Sequence, residues 1–208
     1  VLRKPRNLSH FSLATAALLG VMLRSGADAQ ELQEVQTELV AEVRENVSTT
    51  PGREVFHFVP ARLLERGQFP FRNYVAVAAR SASTWEHYRQ RGPESLGDGR
   101  IVVGAVKLLA DGALGSRGAA LHDAYCDDPG NTGLVLVPGD EGERVTLEAG
   151  RLGFQVCVHA IGDRANTLVL DAFERALARA PRPDHRLRVE HAQVLAERDV
   201  PRFARLGV

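Results

Sequence analysis

The sequence predicts an α/β fold built on parallel strands, and three observations carry that expectation. Apolar runs alternate with helical stretches through most of the chain, which is the pattern of strands joined by crossover helices. Three of those runs end on one metal-competent side chain each: Lys107, His159 and His191. The chain is 208 residues long, 44% hydrophobic and 25% charged, ordinary values for one globular domain with a real core. Two solutions compete, an open doubly wound sheet and a closed (β/α)8 barrel. No Gly-x-Gly-x-x-Gly follows a strand, which weakens the dinucleotide-binding version of the open sheet. Barrel active sites lie at the C-terminal strand ends. Lys107, His159 and His191 all fall there, and that agreement favours the barrel.

The elements follow in order. Arg3, Lys4 and Arg6 precede an apolar run from Phe11 to Leu23, and Ala27-Asp28-Ala29 comes next. Residues 3–29 thus have the layout of a signal peptide, although a buried helix of this length reads the same. A cytoplasmic location is favoured, with export as the alternative. Leu32, Val35, Leu39 and Val43 give residues 29–47 a helical period. Pro51-Gly52 breaks it, and a short helix over 60–66 stops at Gly67. A strand is expected over 74–79, then a helix over 83–91 with Thr84 as its cap. The strand over 101–110 carries Lys107 and leads into a long loop over 111–142, a length that marks function or mobility. A helix over 144–152 and a strand over 154–161 follow. The helix over 164–180 has an apolar face of Leu168, Val169, Ala172, Phe173, Ala176 and Leu177, is capped by Asp163 and ends at Pro181. A strand over 187–191 and a helix over 199–206 close the sequence. Residues 1–55 are an N-terminal segment without a fold assignment, and residues 56–208 form the barrel domain.

Lys107 stands among Val103, Val106, Leu108 and Leu109, where a parallel strand is buried on both faces. A lysine there must snorkel, find a partner, lose its charge or be chemically modified. Side chains alternate along a strand. Lys107 therefore shares a face with Ala105 and Leu109, His159 with Cys157, and His191 with Leu187 and Val189. The opposite face of the last strand carries Arg186, Arg188 and Glu190, a charged surface for a layer that helices cover, with an ion pair between layers as its one explanation. Two neutral imidazoles and an oxygen donor suit zinc or a similar divalent ion. Desolvation can free the lysine amine, which then takes up carbon dioxide as a carbamate. Cys126 and Cys157 form no metal-type pair, and Cys157 reads as a small core residue. Lys+Arg and Asp+Glu are both 26, which argues against a phosphate-driven nucleic-acid binder. No run has the length of a membrane span.

Residues 106–121, Val-Lys-Leu-Leu-Ala-Asp-Gly-Ala-Leu-Gly-Ser-Arg-Gly-Ala-Ala-Leu, with Pro129-Gly130-Asn131-Thr132-Gly133, resemble amidohydrolase family 3, the YtcJ-like branch of the metal-dependent hydrolases. Val158-His159-Ala160-Ile161-Gly162-Asp163-Arg164-Ala165 and Val189-Glu190-His191-Ala192-Gln193 resemble the next two blocks in order. The resemblance spans about residues 60–208. It implies a barrel enzyme with one or two divalent metals, zinc expected, that hydrolyses non-peptide amide or other C–N bonds of a small molecule through a metal-activated water. By this resemblance Lys107 matches the strand-four lysine that can be carboxylated and bridge the metals, and His159 and His191 match the strand-five and strand-six ligands. Asp111, Ser116 and Arg117 would then lie near the mouth, where they either contact substrate or serve only the structure of the loop, while Asp163 caps a helix. The superfamily pattern also has a strand-one His-x-His and a strand-eight aspartate as general base. The seven histidines, at 10, 57, 87, 122, 159, 185 and 191, include no such pair, and the aspartate strand is not in the sequence. The resemblance therefore predicts a partial barrel of about strands three to six, a fragment of a larger enzyme. The alternative is a segment with no activity of its own. Open sheet edges would favour a homo-oligomer.

Overall fold

The computed structural model describes residues 72–208 together with Leu64. The signal-like run, the helix over 29–47 and the rest of the short helix over 60–66 lie outside the described residues. Five strands and four helices follow in order: β1 (Asn73–Ala78), α1 (Ala82–Arg91), β2 (Glu94–Leu96), β3 (Ile101–Leu109), α2 (Gly139–Arg151), β4 (Gln155–Ala160), α3 (Asp163–Arg179), β5 (Arg188–His191) and α4 (Val200–Leu206). The sheet order is β1-β3-β4-β5, and those neighbours are all parallel. The α/β alternation and the parallel sheet are as the sequence predicts.

β2 lies between the expected helix over 83–91 and strand over 101–110, where the sequence predicts no strand. It pairs antiparallel with β3 from Glu94↔Val103 to Leu96↔Ile101. With β1 on the other edge of β3, β2 occupies the edge that β4 takes over at Ala105. Three residues followed by Gly97 make too short a run to show a two-residue period.

β3 is the hub because it is apolar on both faces. Val106 and Leu108 face the helices together with Val156, Val158 and Val189, and with Val145, Ala149, Val169 and Phe173 of α2 and α3 they form the main core cluster. Phe154 belongs to it, fully buried, with edge-on ring contacts to Trp85 at 5.8 Å and Tyr88 at 6.4 Å. Offset and edge contacts of this kind are the favoured aromatic geometry. Val103 also joins this core, although an unbroken strand would put it opposite Val106. A bulge resolves the phase: Val75 pairs with Val103 and Ala76 with Ala105, so Gly104 is the extra residue. A Cβ at Gly104 would come within 2.7 Å of the Tyr74 ring. Glycine is therefore what lets the strand slip a residue and still aim Lys107 away from the helices.

α2 begins at Gly139, five residues before the expected start. Gly142 hides the helical signal, but a Cβ there would meet that of Ala172 at 3.3 Å, so it allows α2 to pack closely on α3. Two cap expectations need correction. The N-cap of α1 is Ser81, and Thr84 is buried inside the helix, where it accepts the Ser81 hydroxyl proton. The N-cap of α3 is Gly162, and Asp163 is the first helical residue.

Candidate active site

Register places the candidate groups. Lys107 pairs with Cys157 and Leu109 with His159 across β3 and β4, and Cys157 pairs with Arg188 and His159 with Glu190 across β4 and β5. Paired residues of parallel strands point to the same side. Lys107, Leu109, Cys157, His159, Arg188 and Glu190 therefore share the face away from the α2–α3 core. This corrects the expected placement of Arg188 and Glu190 on the helix-covered side. Their ion pair, 2.7 Å, runs along β5 on the site face and does not bridge layers. Arg186 precedes β5 and pairs with Asp184 at 2.8 Å.

His191 reaches this face by a different route from the one parity suggests. It pairs with Ala160, and Ala160 belongs to the core side. The backbone then turns: φ is 79° at His191 and 45° at Ala192. Positive φ is uncommon for residues other than glycine and occurs at functional sites. The turn brings the His191 ring to 4.6 Å from that of His159, centroid to centroid, at an interplanar angle of 75°. The two histidines do meet, but the shared face with Leu187 and Val189 is overturned.

Lys107 is half-buried on this face. Its amine is pushed below the ordinary lysine value, first by burial and also by Arg188, while Glu190 and Cys157 pull it back up. The Cys157 thiol, fully buried, is pushed up, mainly by burial.

Asp111 follows β3 and is 2% exposed. Its Oδ1 accepts the Ile161 amide at 3.0 Å, and its Oδ2 accepts the Gly162 amide at 2.8 Å and the Ala120 amide at 3.0 Å. The same Oδ1 lies 3.4 Å from His159 Nε2. That pair is close enough for electrostatic attraction but does not meet hydrogen-bond geometry, and Nε2 is buried without a hydrogen-bond partner. Ser116 and Arg117 are exposed. The Ser116 hydroxyl donates to the Ala113 carbonyl, and Arg117 makes a two-pronged ion pair with Asp127. The structure thus brings Lys107, His159 and His191 to one face, sets Asp111 beneath His159, and leaves Ser116 and Arg117 on the loop surface.

The loop between β3 and α2 is folded on itself and onto the strand ends. Leu136 donates to the Ala110 carbonyl, Leu134 to Gly118 and Leu121 to Thr132. The Ala120 carbonyl accepts amides from Arg164 and Ala165 in the first turn of α3. Asp163 holds the loop as well, accepting the His122 amide at 2.9 Å. Asn166, fully buried, donates to the carbonyls of Gly162 and Val194 and so ties the segment after β5 to the end of β4. Sequence reasoning missed Asn166. A buried-position asparagine on the apolar side of a helix was its only signal. A cavity of about 300 Å³ lies apart from the site, lined by Thr146, Gly150, Arg182, His185 and Leu187.

Two imidazoles in contact, with a half-dried lysine on the same face, are donors that fit a divalent metal. Among the described residues no group of three or more His, Cys, Asp or Glu side chains is placed to hold an ion, so lysine would have to complete such a set. Among the same residues no helix is long and apolar enough to cross a membrane.

Comparison with known proteins gives a consistent result. The pattern of the amidohydrolase family matches residues 9–208. The "Putative amidohydrolase YtcJ" of Bacillus subtilis is 36% identical over 154 residues, 72% of this chain and 28% of that protein. "Protein LONG AFTER FAR-RED 3" of Arabidopsis thaliana is 40% identical over 108 residues, 52% of this chain and 18% of its own length. The crystal structure of an uncharacterized metal-dependent hydrolase from Pyrococcus furiosus superposes with a TM-score of 0.64 at 30% identity, covering 74% of this chain and 31% of that one. The chain spans less than a third of the length of each of these relatives.

Proposed function

The chain belongs to the amidohydrolase family, and from that premise we propose that it forms part of a (β/α)8 barrel hydrolase that cleaves C–N bonds of small, non-peptide amides with a divalent metal, zinc by preference. The observation that carries this reading is the meeting of His159 and His191 at 4.6 Å on the face that also presents Lys107. Lys107, His159 and His191 would hold the metal. When bound, such an ion lowers the pKa of a water towards neutrality and polarises the scissile carbonyl. The residues do the rest. Lys107, its charge disfavoured by burial, is suited to lose its proton and donate as an amine or, after carboxylation, as a carboxylate. The turned backbone at His191 fixes the second imidazole against the first. Ser116 and Arg117 stand on the exposed loop, where substrate contact would compete with the Ala113 carbonyl for Ser116 and with Asp127 for Arg117, whereas both oxygens of Asp111 are buried and engaged with amides.

The test is metal content and zinc affinity of the purified chain beside Lys107→Ala, His159→Ala and His191→Ala. Wild-type protein is expected to take up zinc, and each variant to lose most of it. Equal zinc in the parent and the triple variant would remove the assignment.

One observation favours a second reading, a barrel segment without turnover of its own: no three acidic, histidine or cysteine ligands converge among the described residues. Robust zinc-dependent hydrolysis of an amide panel by this chain alone would eliminate that reading.

A further inference from the structure

We infer that Asp111 is a positioning residue for His159: its carboxylate, fixed by three backbone amides, accepts the hydrogen bond of a protonated Nε2 and leaves Nδ1 as the nitrogen available to a ligand. The inference deepens the proposed function and rests on its reading of His159 as a group that holds the metal.

Three features carry it. First, the carboxylate cannot turn. Ile161, Gly162 and Ala120 each donate an amide to it, and the side chain has no exposed surface. Second, the facing nitrogen has nowhere else to go. Nε2 of His159 is buried and has no hydrogen-bond partner, and Asp111 Oδ1 is 3.4 Å away. Leaving a buried polar group unpaired is costly, and a ring shift of a few tenths of an ångström closes this contact. Third, an ionised carboxylate only accepts. The shared proton must then sit on Nε2, and in a neutral imidazole that puts the lone pair on Nδ1. Carboxylate partners of this kind fix the tautomer and orientation of ligating histidines generally. Here one carboxylate also seats the loop after β3 on the ends of β4 and α3, so loop docking and ring orientation depend on a single side chain. The competing arrangement, with Nε2 and Oδ1 jointly grasping a cation, requires a bare Nε2 and the opposite tautomer.

Long-range proton–nitrogen correlation spectra of the histidine-labelled, metal-stripped full chain at about pH 8, above the ordinary imidazole pKa, read this directly. The His159 signals are assigned by their loss in His159→Gln. The expected result is protonated Nε2 and bare Nδ1. Asp111→Asn should reverse the tautomer. The asparagine oxygen belongs on the side of the two amides from Ala120 and Gly162, which turns its NH2 group towards His159 as a donor. Zinc affinity should fall about 10- to 100-fold in that variant. Protonated Nδ1 in the wild type overturns the inference, and so does an Asp111→Asn protein that keeps protonated Nε2 and its full zinc affinity. If Asp111→Asn does not fold, the wild-type spectrum still decides. A wild-type chain with protonated Nε2 and no zinc affinity would sink the metal reading and leave the positioning role standing.

Discussion

Lys107 shows what its place on β3 costs a single residue. Burial is the largest influence on its amine and, with Arg188, holds its pKa below the ordinary 10.5, against the pull of Glu190 and Cys157. Between the lowered value and 10.5, the unfolded chain keeps the proton and the folded chain releases it. Stability rises with pH wherever the unfolded state binds more protons. Lys107 should therefore add resistance to urea as pH increases through that window, against the opposite trend from Cys157, Tyr74, Tyr88 and Tyr125, whose raised pKa values keep protons on the folded chain. Lys107→Met should remove this contribution and gain most over the parent on the low-pH side. The difference in urea midpoint between parent and variant, taken at successive pH values, isolates the effect, and a difference that does not change with pH would show that the amine is not desolvated in solution. Neither the window nor its sign involves a metal, so this test stands apart from the zinc experiments.

Among the elements, the loop after β3 and the start of α3 behave as one unit, with Gly162 as the contact point. A Cβ there would sit 1.9 Å from the Ala120 carbonyl oxygen, and both partners are backbone. Gly162→Ala should cost about 2–3 kcal/mol and expose residues 112–134 to proteolysis. Gly115→Ala is the control: nothing lies within 4 Å of its added Cβ, so its effect should stay within about 0.5 kcal/mol. Equal urea midpoints for the two variants would mean that the loop is not seated as described. Legibility in the sequence divides along the same line. β3, β4 and α3 were readable because long apolar periods are local. Lys107 and His159 were readable because face parity holds along straight strands. The side taken by His191 was not, since it follows from two positive φ values that no local pattern demands. The Gly104 bulge left a signal, a glycine inside a valine-rich strand, but its phase shift appears only with β1 alongside. Asp111 was found as polar and near the mouth. Its contacts with Ile161 and Gly162, fifty residues on, exist only in three dimensions.

For the whole molecule, the consequence lies at the edges of the sheet and on the open site face. β1 and β5 are the outer strands, and among the described residues neither is paired on its far side. Unpaired edges invite further strands. The site face adds apolar area: Leu109 is 49% exposed and Tyr74 50% exposed. Tyr74 lies on that face, because it alternates with Ala76 and Ala78 along β1 and Ala78 pairs with Lys107. These two features act differently. Edge pairing joins backbones and is indifferent to Leu109, whereas face-to-face association buries that side chain. Sedimentation of the full chain over a range of concentrations should show reversible self-association. Leu109→Ser separates the two modes, because it removes exposed apolar surface without touching the core. A shift towards monomer in that variant would place the contact on the site face and predict that association blocks access to His159 and His191, so that zinc uptake falls as protein concentration rises. Unchanged association would place the contact at β1 or β5 and leave zinc uptake independent of concentration. A chain that stays monomeric throughout would mean that both edges and the face are covered within the molecule.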